Sequence, residues 1–309
     1  MPTEALRDAA AELTQKKLAE QRRRSSGALS LFRKYVPFWW RRALYTPYLL
    51  TLDGVDFILG RQKELTPPRY LDFAGTFAGA GQEYVTYFKE LCGLQPSHRT
   101  LDMGCGIGRV AVPLAEYLTT GSYEGLDIVP SGIRWCQKNI TPKYPRFRFQ
   151  VADIYNRMYN PGGLFKSPDY PFPFSDGEFD LVFLISVFTH LLPIDLEHYV
   201  SEISRVLRPG GKCLYTTFLL DDEARRGMES GKSAFDFKYE LPGCWTSDPV
   251  TPETAVAYQE SSVAPLLSRY SLTADPTHFG AWSGRSNYFS YGDIVTCTKT
   301  SPDQALPKS

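Results

Sequence analysis

Short apolar runs alternate with amphipathic segments along the middle of the chain. The run FDLVFLIS at residues 179–186 is continuously apolar, as in a strand that is buried on both faces of a parallel sheet. Residues 147–154 alternate apolar with polar side chains, which indicates a strand, and residues 195–207 repeat apolar positions with the period of a helix. This alternation predicts an α/β fold with a doubly wound, mostly parallel sheet.

The remaining elements follow from the same patterns. Between residues 221 and 270 the regularity weakens, and we interpret this stretch as an insertion that covers the substrate. The chain then regains two strand-like runs that are joined by a glycine-containing loop. The other predicted strands lie at residues 122–128 and 212–220, and the other predicted helices at residues 70–94, 110–118 and 131–139.

Residues 1–69 form a predicted N-terminal extension to a domain at residues 70–300, and residues 301–309 are expected to be disordered. The extension has a helical pattern at residues 3–24, followed by a basic aromatic segment. This segment can pack on the domain as a lid, which Pro37 favours because it interrupts a long amphipathic helix, or it can lie at a membrane surface. Its aromatic residues include Phe32, Phe38, Trp39 and Trp40.

Composition and charge restrict the partners and the cellular compartment that we expect for the protein. The chain of 309 residues has no net formal charge, which gives no general argument for a nucleic-acid partner, and none is expected. The charge is uneven, because residues 1–50 hold ten Lys or Arg and four Asp or Glu. Six scattered cysteines without CxxC spacing indicate reduced thiols. Without an apolar run long enough for a signal peptide or a membrane span, we expect a soluble cytoplasmic protein with at most peripheral membrane contact.

The glycine-rich stretch RTLDMGCGIGRV at residues 99–110 carries the strongest chemical signal. A short strand ends in Asp102, and alternate glycines then lead into a helix, so the backbone can turn tightly and approach a ligand. A dinucleotide fingerprint needs Gly or Ala where Arg109 stands, and a phosphate-binding loop would end in Gly-Lys-Ser or Gly-Lys-Thr. Asp102 would repel a phosphate and attract a cation, which favours a cationic ligand. The alternate glycines are Gly104, Gly106 and Gly108.

This stretch resembles motif I of the class I S-adenosylmethionine-dependent methyltransferases, whose cofactor carries an ammonium and a sulfonium group. The resemblance covers about residues 99–220. It implies a seven-stranded, Rossmann-like methyltransferase sheet that is closed by an antiparallel C-terminal hairpin. It also implies S-adenosylmethionine as the cofactor and S-adenosylhomocysteine as the product.

Three acidic residues, Asp102, Asp127 and Asp153, end three predicted strands. Because the carboxyl ends of parallel strands lie along one edge of a sheet, the three acids can reach the same ligand. The resemblance implies that Asp127 binds both ribose hydroxyls and that Asp153 accepts the adenine amino group. It also implies that Asp102 helps to position the ammonium group.

Neighbouring residues complete the cofactor site that the resemblance implies. The backbone amide of Ile154 serves an adenine ring nitrogen, and Ile128 packs against the ring. Gly104 lies at the methionine portion, whose end is lined by Ser186 and Val187. The full predicted cofactor-binding set is Asp102, Gly104, Cys105, Gly106, Gly108, Arg109, Asp127, Ile128, Asp153, Ile154, Ser186 and Val187.

Two histidines are candidates for a general base. His190 follows the fourth strand directly, where the transferred methyl group is expected, and an ordinary histidine pKa of about 6.5 suits proton transfer. Alternatively, His190 orients the start of the next helix. His278 is the second candidate. No metal is expected, since residues 186–189 are Ser-Val-Phe-Thr and lack the acid that holds magnesium in catechol-type methyltransferases.

Two aromatic loops are candidates for the acceptor site, with ordinary loop packing as the alternative for both. The insertion at residues 155–178 offers Tyr155 and Tyr159, and the later segment THFGAWSGR offers Trp282 and Arg285. We expect O-methylation of a small molecule, such as a saccharide or a natural product, by in-line transfer. The alternatives are a membrane-associated lipid or glycan as acceptor, and a non-catalytic binding protein that retains the fold.

Overall fold

The computed structural model describes residues 38–61, 64–72 and 77–300, together with Thr14. The strands are β1 (Arg99–Met103), β2 (Ser122–Asp127), β3 (Phe147–Val151), β4 (Phe179–Leu184), β5 (Leu207–Thr217), β6 (Leu219–Leu220), β7 (Tyr239–Leu241), β8 (Cys244–Thr246), β9 (Val256–Gln259), β10 (Leu272–Ala274) and β11 (Asp293–Lys299). The α-helices are α1 (Phe38–Ile58), α2 (Phe77–Cys92), α3 (Ala111–Tyr117), α4 (Pro130–Asn139), α5 (Pro193–Val206), α6 (Asp222–Glu229) and α7 (Val263–Arg269).

Seven strands form the main sheet, in the spatial order β10-β11-β5-β4-β1-β2-β3. Strands β1 to β5 run parallel to their neighbours among themselves, and β11 pairs antiparallel with both β5 and β10. This confirms the predicted doubly wound, mostly parallel sheet with an antiparallel C-terminal pair. The chain leaves β1 and β4 in opposite directions along the sheet, and ligands of such sheets bind beyond the carboxyl ends of the strands at this point.

The apolar run that becomes β4 is buried from both sides. Leu181 and Phe183 belong to a core cluster that α2, α3 and α4 cover, whereas Val182 and Leu184 belong to a cluster that α5 and α7 cover. The exposed fraction of each side chain is 1% or less. The continuous apolar run therefore reflects a strand with helices on both faces.

The stretch predicted as an irregular insertion, residues 221–270, contributes most of a second, smaller sheet. Its spatial order is β6-β9-β8-β7, with β6 parallel to β9 and the other pairs antiparallel. These strands are two to four residues long, too short to show a period in the sequence. The predicted strand at 212–220 is also divided, because β5 ends at Thr217 and β6 begins at Leu219.

Asp293, at the start of β11, joins the small sheet to the main sheet. Its buried carboxylate accepts hydrogen bonds from the backbone N–H groups of Leu219 (2.7 Å) and Gly280 (2.6 Å) and from Nε1 of Trp282 (2.8 Å). Trp282 is itself fully buried, so neither face of its indole is open to an acceptor. The prediction that Trp282 binds substrate is therefore wrong, and the residue belongs to the core.

Arg285 also has a structural role. Its Nη2 donates to both carboxylate oxygens of Asp221 (2.9 and 3.0 Å), and its Nε donates to Oγ of Ser283 (2.9 Å). The guanidinium lies 4.2 Å from the centre of the Phe279 ring. Because the side chain is only 4% exposed and Asp221 already matches its charge, the prediction that Arg285 binds substrate is wrong as well.

The predicted N-terminal extension is described mainly through α1. The predicted helix at residues 3–24, the aromatic residue Phe32 and the tail at residues 301–309 lie outside the described residues. No side chain of residues 46–59 is buried. The side chains of Phe38, Trp39 and Trp40, on which the lid interpretation rests, lie outside the described part of the chain, so the lid stays a prediction. Within the described residues, no helix combines the length and the apolar character that crossing a membrane requires.

We expect Asp293→Ala to lower the free energy of unfolding by about 3 kcal/mol or more, because three buried donors lose their acceptor. Asp293→Asn is the matched control, since it keeps a similar volume and one acceptor oxygen and should lose less. Urea unfolding of both variants measures the difference. Losses that are equal and below about 1 kcal/mol would mean that Asp293 does not hold the two sheets together.

Candidate active site

The glycine-rich loop between β1 and α3 forms one wall of the site. Gly104, Gly106 and Gly108 have φ angles of 87°, 57° and 76°, in the region that residues with a side chain rarely occupy. The N–H groups of Gly104 and Cys105 donate to the carbonyl of Leu126 in β2 (2.7 and 3.2 Å). These hydrogen bonds tie the loop to the neighbouring strand.

Gly104 and Gly106 differ in what surrounds them. A Cβ atom at Gly104 would collide with Cγ2 of Val187, so the loop packs closely against the segment that follows β4. A Cβ atom at Gly106 would meet no atom within 4 Å. The backbone of Gly106 therefore borders open space in which a ligand can lie.

Asp127, at the end of β2, is bound to this loop. Its Oδ2 accepts from the N–H of Gly106 (2.7 Å), and its Oδ1 accepts from the N–H of Val129 (2.8 Å). Burial raises the pKa of this carboxyl above its ordinary value, and the backbone hydrogen bonds oppose that shift. Each carboxylate oxygen keeps a further lone pair, so both can accept from a pair of ligand hydroxyls. The placement is compatible with the predicted ribose contact, which stays a prediction.

Asp102 lies deeper in the fold than the other two acids. Its Oδ2 accepts from the hydroxyl of Tyr123 (2.7 Å), and burial raises its pKa to about 7. In the sheet it lies between Gly125 of β2 and Phe183 of β4. With 2% of the residue exposed, Asp102 supports the strand end beneath the loop and contributes little to the surface of the cleft. Its predicted role at an ammonium group stays a prediction.

Asp153 follows β3 and begins the aromatic insertion. Its Oδ1 accepts from the backbone N–H of Leu164 (3.2 Å), and the next residue, Ile154, is buried. Asp127 pairs with Val151 at the end of β3, so Asp127 and Asp153 lie at the same edge of the sheet. The structure therefore brings together the two acids that are predicted to bind the ribose and the adenine.

The turn after β4 has an unusual backbone conformation. Ser186 has a φ angle of 60° although it is not glycine, and its N–H donates to Oγ1 of Thr216 in β5 (2.7 Å). The residue is exposed, and its neighbour Val187 packs against Gly104. Residues held in such sparsely populated conformations cluster at functional sites. Val187 thus lies beside the glycine loop, next to Ser186 in the chain, and the predicted contact of both residues with the methionine portion stays a prediction.

The contacts of the remaining predicted cofactor residues with the cofactor stay predictions. Cys105 is buried within the loop, and its carbonyl accepts from the N–H of Gly108 (3.0 Å). Ile128 packs against the core cluster on the α5 face. The backbone carbonyl of Arg109 lies so close to Gly81 of α2 that no Cβ atom would fit there.

His190 is held in one tautomer by its surroundings. It lies in the 3-10 turn Phe188–His190, and its Nδ1 is 2.8 Å from the backbone carbonyl of Glu253. Since a carbonyl can only accept, Nδ1 carries the proton in this pair. Burial lowers the pKa of His190 below its ordinary value, which favours the neutral ring. With the proton on Nδ1, Nε2 is the ring nitrogen that can accept a proton, as a general base requires.

Tyr159, predicted to bind the acceptor, lies against His190. The centres of the two rings are 6.1 Å apart, and the rings meet edge to face at 71°. Burial raises the pKa of Tyr159, and the negative charge of Asp127 adds to the rise. The insertion thus brings an aromatic ring to the candidate base. Tyr155 is 50% exposed, and its role stays a prediction.

The second histidine lies apart from this group. His278 exchanges two backbone hydrogen bonds with Ile294 of β11 (2.9 and 2.8 Å), and its ring centre is 4.7 Å from that of Phe289. Phe289 packs in turn on Tyr87 of α2, at 4.9 Å between ring centres. These contacts place His278 near the face of the sheet that α2 covers, whereas His190 contacts the region of the small sheet. The two candidate bases, His190 and His278, therefore lie in different parts of the structure.

Three residues of the site are absent from the sequence-based set. Glu253 acts through its backbone carbonyl. Because any residue at this position would supply the same carbonyl, the amino-acid sequence does not reveal this contact. Thr216 and Tyr123 each contribute a hydroxyl from the interior of a strand. Their partners, Ser186 and Asp102, become evident only from strand register, in which Leu184 is opposite Tyr215 and Asp102 is opposite Gly125.

Residues 101–215 match the family model of a methyltransferase domain. They span the glycine loop, the acids at the ends of β2 and β3, and His190. The chain carries a class I S-adenosylmethionine-dependent methyltransferase domain. The family that the glycine-rich stretch resembles is thereby confirmed, and with it S-adenosylmethionine as the cofactor of the methyltransferase domain.

The methyltransferase domain has relatives of several kinds. The phthiotriol/phenolphthiotriol dimycocerosates methyltransferase of Mycobacterium leprae is 30% identical over 192 residues, which cover 62% of this chain and 63% of that protein. The fatty-acid O-methyltransferase of Mycolicibacterium smegmatis is 35% identical over 118 residues, or 38% of this chain and 36% of that protein. This chain therefore spans less than two thirds of the length of these relatives.

A similar solved structure is the 1,6-didemethyltoxoflavin-N1-methyltransferase of Burkholderia thailandensis with bound 1,6-didemethyltoxoflavin and S-adenosylhomocysteine. It is 16% identical to this chain, with a TM-score of 0.47. The superposition covers 74% of this chain and 86% of that chain.

We expect Gly104→Ala and Gly106→Ala to separate folding from cofactor binding. Both place a side chain at positive φ, at a cost of about 1 kcal/mol. Gly104→Ala also collides with Val187 and should lower the free energy of unfolding by about 2 kcal/mol or more. Gly106→Ala should fold, yet bind S-adenosylmethionine at least about tenfold more weakly, because its methyl group enters the open cleft. Urea unfolding and calorimetry measure the two effects, and unchanged affinity in Gly106→Ala would contradict this assignment of the cleft.

Proposed function

We propose that the protein is an enzyme that transfers a methyl group from S-adenosylmethionine to an oxygen atom of a small molecule, by in-line displacement without a metal ion. The observation behind this proposal is that an open glycine loop and an oriented, neutral histidine lie beyond the carboxyl ends of one sheet. A neutral, oriented histidine in this position favours an enzyme over a protein that only binds the cofactor.

The residues at the loop fit the cofactor. Its ribose carries two adjacent hydroxyls, and Asp127 presents two carboxylate oxygens that backbone hydrogen bonds hold in place. The open space at Gly106 allows close approach to the backbone. Exposed Ser186 and its neighbour Val187 would line the methionine portion. When bound, S-adenosylmethionine supplies an electrophilic methyl group on a positively charged sulfur.

His190 would act as the general base. The carbonyl of Glu253 keeps the proton on Nδ1, so Nε2 can take a proton from the acceptor. A hydroxyl is a weak nucleophile until its proton is removed, and this need for a base favours an oxygen acceptor. Tyr159 beside the imidazole would restrict where the acceptor lies and offer it a hydrogen bond.

The class of acceptor has two candidates. A hydroxyl of a saccharide or a natural product suits the aromatic insertion around Tyr159, because such loops stack against rings. A lipid or another membrane-associated molecule is the second candidate. A fatty-acid O-methyltransferase among the relatives supports it, as do the exposed apolar side chains of α1. All six cysteines are free and buried, which supports a reducing compartment such as the cytoplasm.

Methyl-labelled S-adenosylmethionine, incubated with the protein and a metabolite extract and read by mass spectrometry, tests the activity directly. We expect Asp127→Ala to lower the affinity for the cofactor at least about tenfold, because two charge-assisted hydrogen bonds are lost. Asp236→Ala removes an exposed acid of the surface pair with Lys238 and serves as the matched control. A wild-type protein without measurable affinity for S-adenosylmethionine, together with no effect of Asp127→Ala, would refute the proposed enzyme.

We expect His190→Ala to lower turnover at least about 100-fold while the affinity for the cofactor is retained. His278→Ala is the matched histidine control and should keep most of the turnover. Turnover of the wild type should rise with pH, and the midpoint of the rise should lie below the ordinary histidine pKa of about 6.5, because burial lowers the pKa of His190. Near-normal turnover of His190→Ala would make His190 a structural residue. The same conclusion would follow if the variant lost turnover at acidic pH in the same way as the wild type.

A further inference from the structure

The C-terminal half of α1 exposes a wide apolar surface. No side chain of residues 46–59 is buried, and the exposed fractions of Phe57 and Ile58 reach 74% and 82%. Contiguous apolar exposure of this kind marks a contact site. We call this region the α1 apolar surface, and its members are Tyr48, Leu50, Val55, Phe57, Ile58 and Leu59.

The acidic residues of α1 point away from this surface. Oδ1 of Asp53 accepts from Nη1 of Arg69 (2.6 Å), and Oδ2 of Asp53 accepts from the backbone N–H of Arg69 (3.0 Å). Asp56 accepts from Nη2 of the same arginine. At about 100° per residue, the two acids lie near one another on the helix, and the apolar residues fill an arc of about 200° on the other side. Because Asp53 and Asp56 are the only charged residues between positions 46 and 59, this arc carries no charge.

The width of the arc distinguishes between two kinds of partner. A helix that pairs with a second copy in a coiled coil buries a narrow stripe of side chains. Leu50 and Phe57 lie at one edge of the arc, and Tyr48 and Leu59 lie at the other, too far around the helix to share such a stripe. Fluid lipid can cover the whole arc, as it does for helices that lie in a membrane interface.

Positive charge precedes this surface in the sequence. Arg41 and Arg42 stand near the start of α1, and residues 1–50 hold ten Lys or Arg and four Asp or Glu. Arg69 already matches both acids of the helix, so these acids do not offset the basic N-terminal charge. An uncharged apolar arc beside basic residues complements an anionic lipid surface.

We propose that α1 docks the protein on an anionic lipid surface. The helix lies along the interface with the α1 apolar surface among the acyl chains, and the net positive charge of residues 1–50 favours anionic over neutral headgroups. The pair of acids bound to Arg69 marks the side that faces the rest of the protein. This docking does not depend on the proposed methyl transfer or on the identity of the acceptor.

Sedimentation of the full-length protein with vesicles tests this docking. We expect at least about tenfold tighter binding to vesicles of phosphatidylcholine and phosphatidylglycerol in equal amounts than to phosphatidylcholine alone, with a decrease as salt is added. The double variant Phe57→Ser, Ile58→Ser should bind at least about tenfold more weakly. The control Ile194→Ser, Val250→Ser removes side chains of comparable exposure, 69% and 73%, from the methyltransferase domain and should bind as the wild type does.

Two results would overturn the docking proposal. One is no binding to either kind of vesicle, or equal binding by the wild type and the Phe57, Ile58 double variant. The other is a dimer in solution that light scattering shows to dissociate in that variant, because a second copy would then cover the surface. Calorimetry with S-adenosylmethionine is the independent readout, and unchanged affinity in the double variant shows that its methyltransferase domain is folded. A failure of cofactor binding in the wild type would refute the proposed function and leave the docking result valid.

Discussion

The hydrogen bond from the Gly106 amide to the Asp127 carboxylate, 2.7 Å long, is the contact on which the site depends. It joins the loop after β1 to the end of β2, and it requires the positive φ angle that glycine adopts without strain. The same carboxylate is the one that is predicted to bind the ribose of the cofactor. On that prediction, a change at Gly106 or Asp127 alters both the conformation of the loop and the binding of the ligand.

The main sheet and the region of the small sheet contribute different parts of the candidate site. The main sheet carries the glycine loop and the acids, all within residues 101–215, which match the methyltransferase family. The carbonyl that fixes the tautomer of His190 comes from Glu253, outside that range and next to the small sheet. The predicted cofactor residues thus lie within the part of the chain that matches the family model, and the carbonyl that orients the candidate base comes from outside it.

The sequence predicts this fold and its cofactor loop well because their signals are local. The apolar run of β4 and the alternate glycines after β1 are each determined within a few consecutive residues. Trp282 and Arg285 are misassigned for the opposite reason: a loop tryptophan or arginine looks the same in the sequence whether it faces an acceptor or a buried carboxylate. Their partners, Asp293 and Asp221, are 11 and 64 residues away. The contact between His190 and a backbone carbonyl depends on tertiary structure alone.

The position of Asp293 in the chain has a consequence for how the protein matures. Asp293 belongs to β11, the last strand of the described residues, and it binds Leu219, 74 residues earlier. Contacts of such separation form late, and growing chains fold from the N-terminal side. The glycine loop and the strands around it can therefore form before β11 is available to join the small sheet to the main sheet.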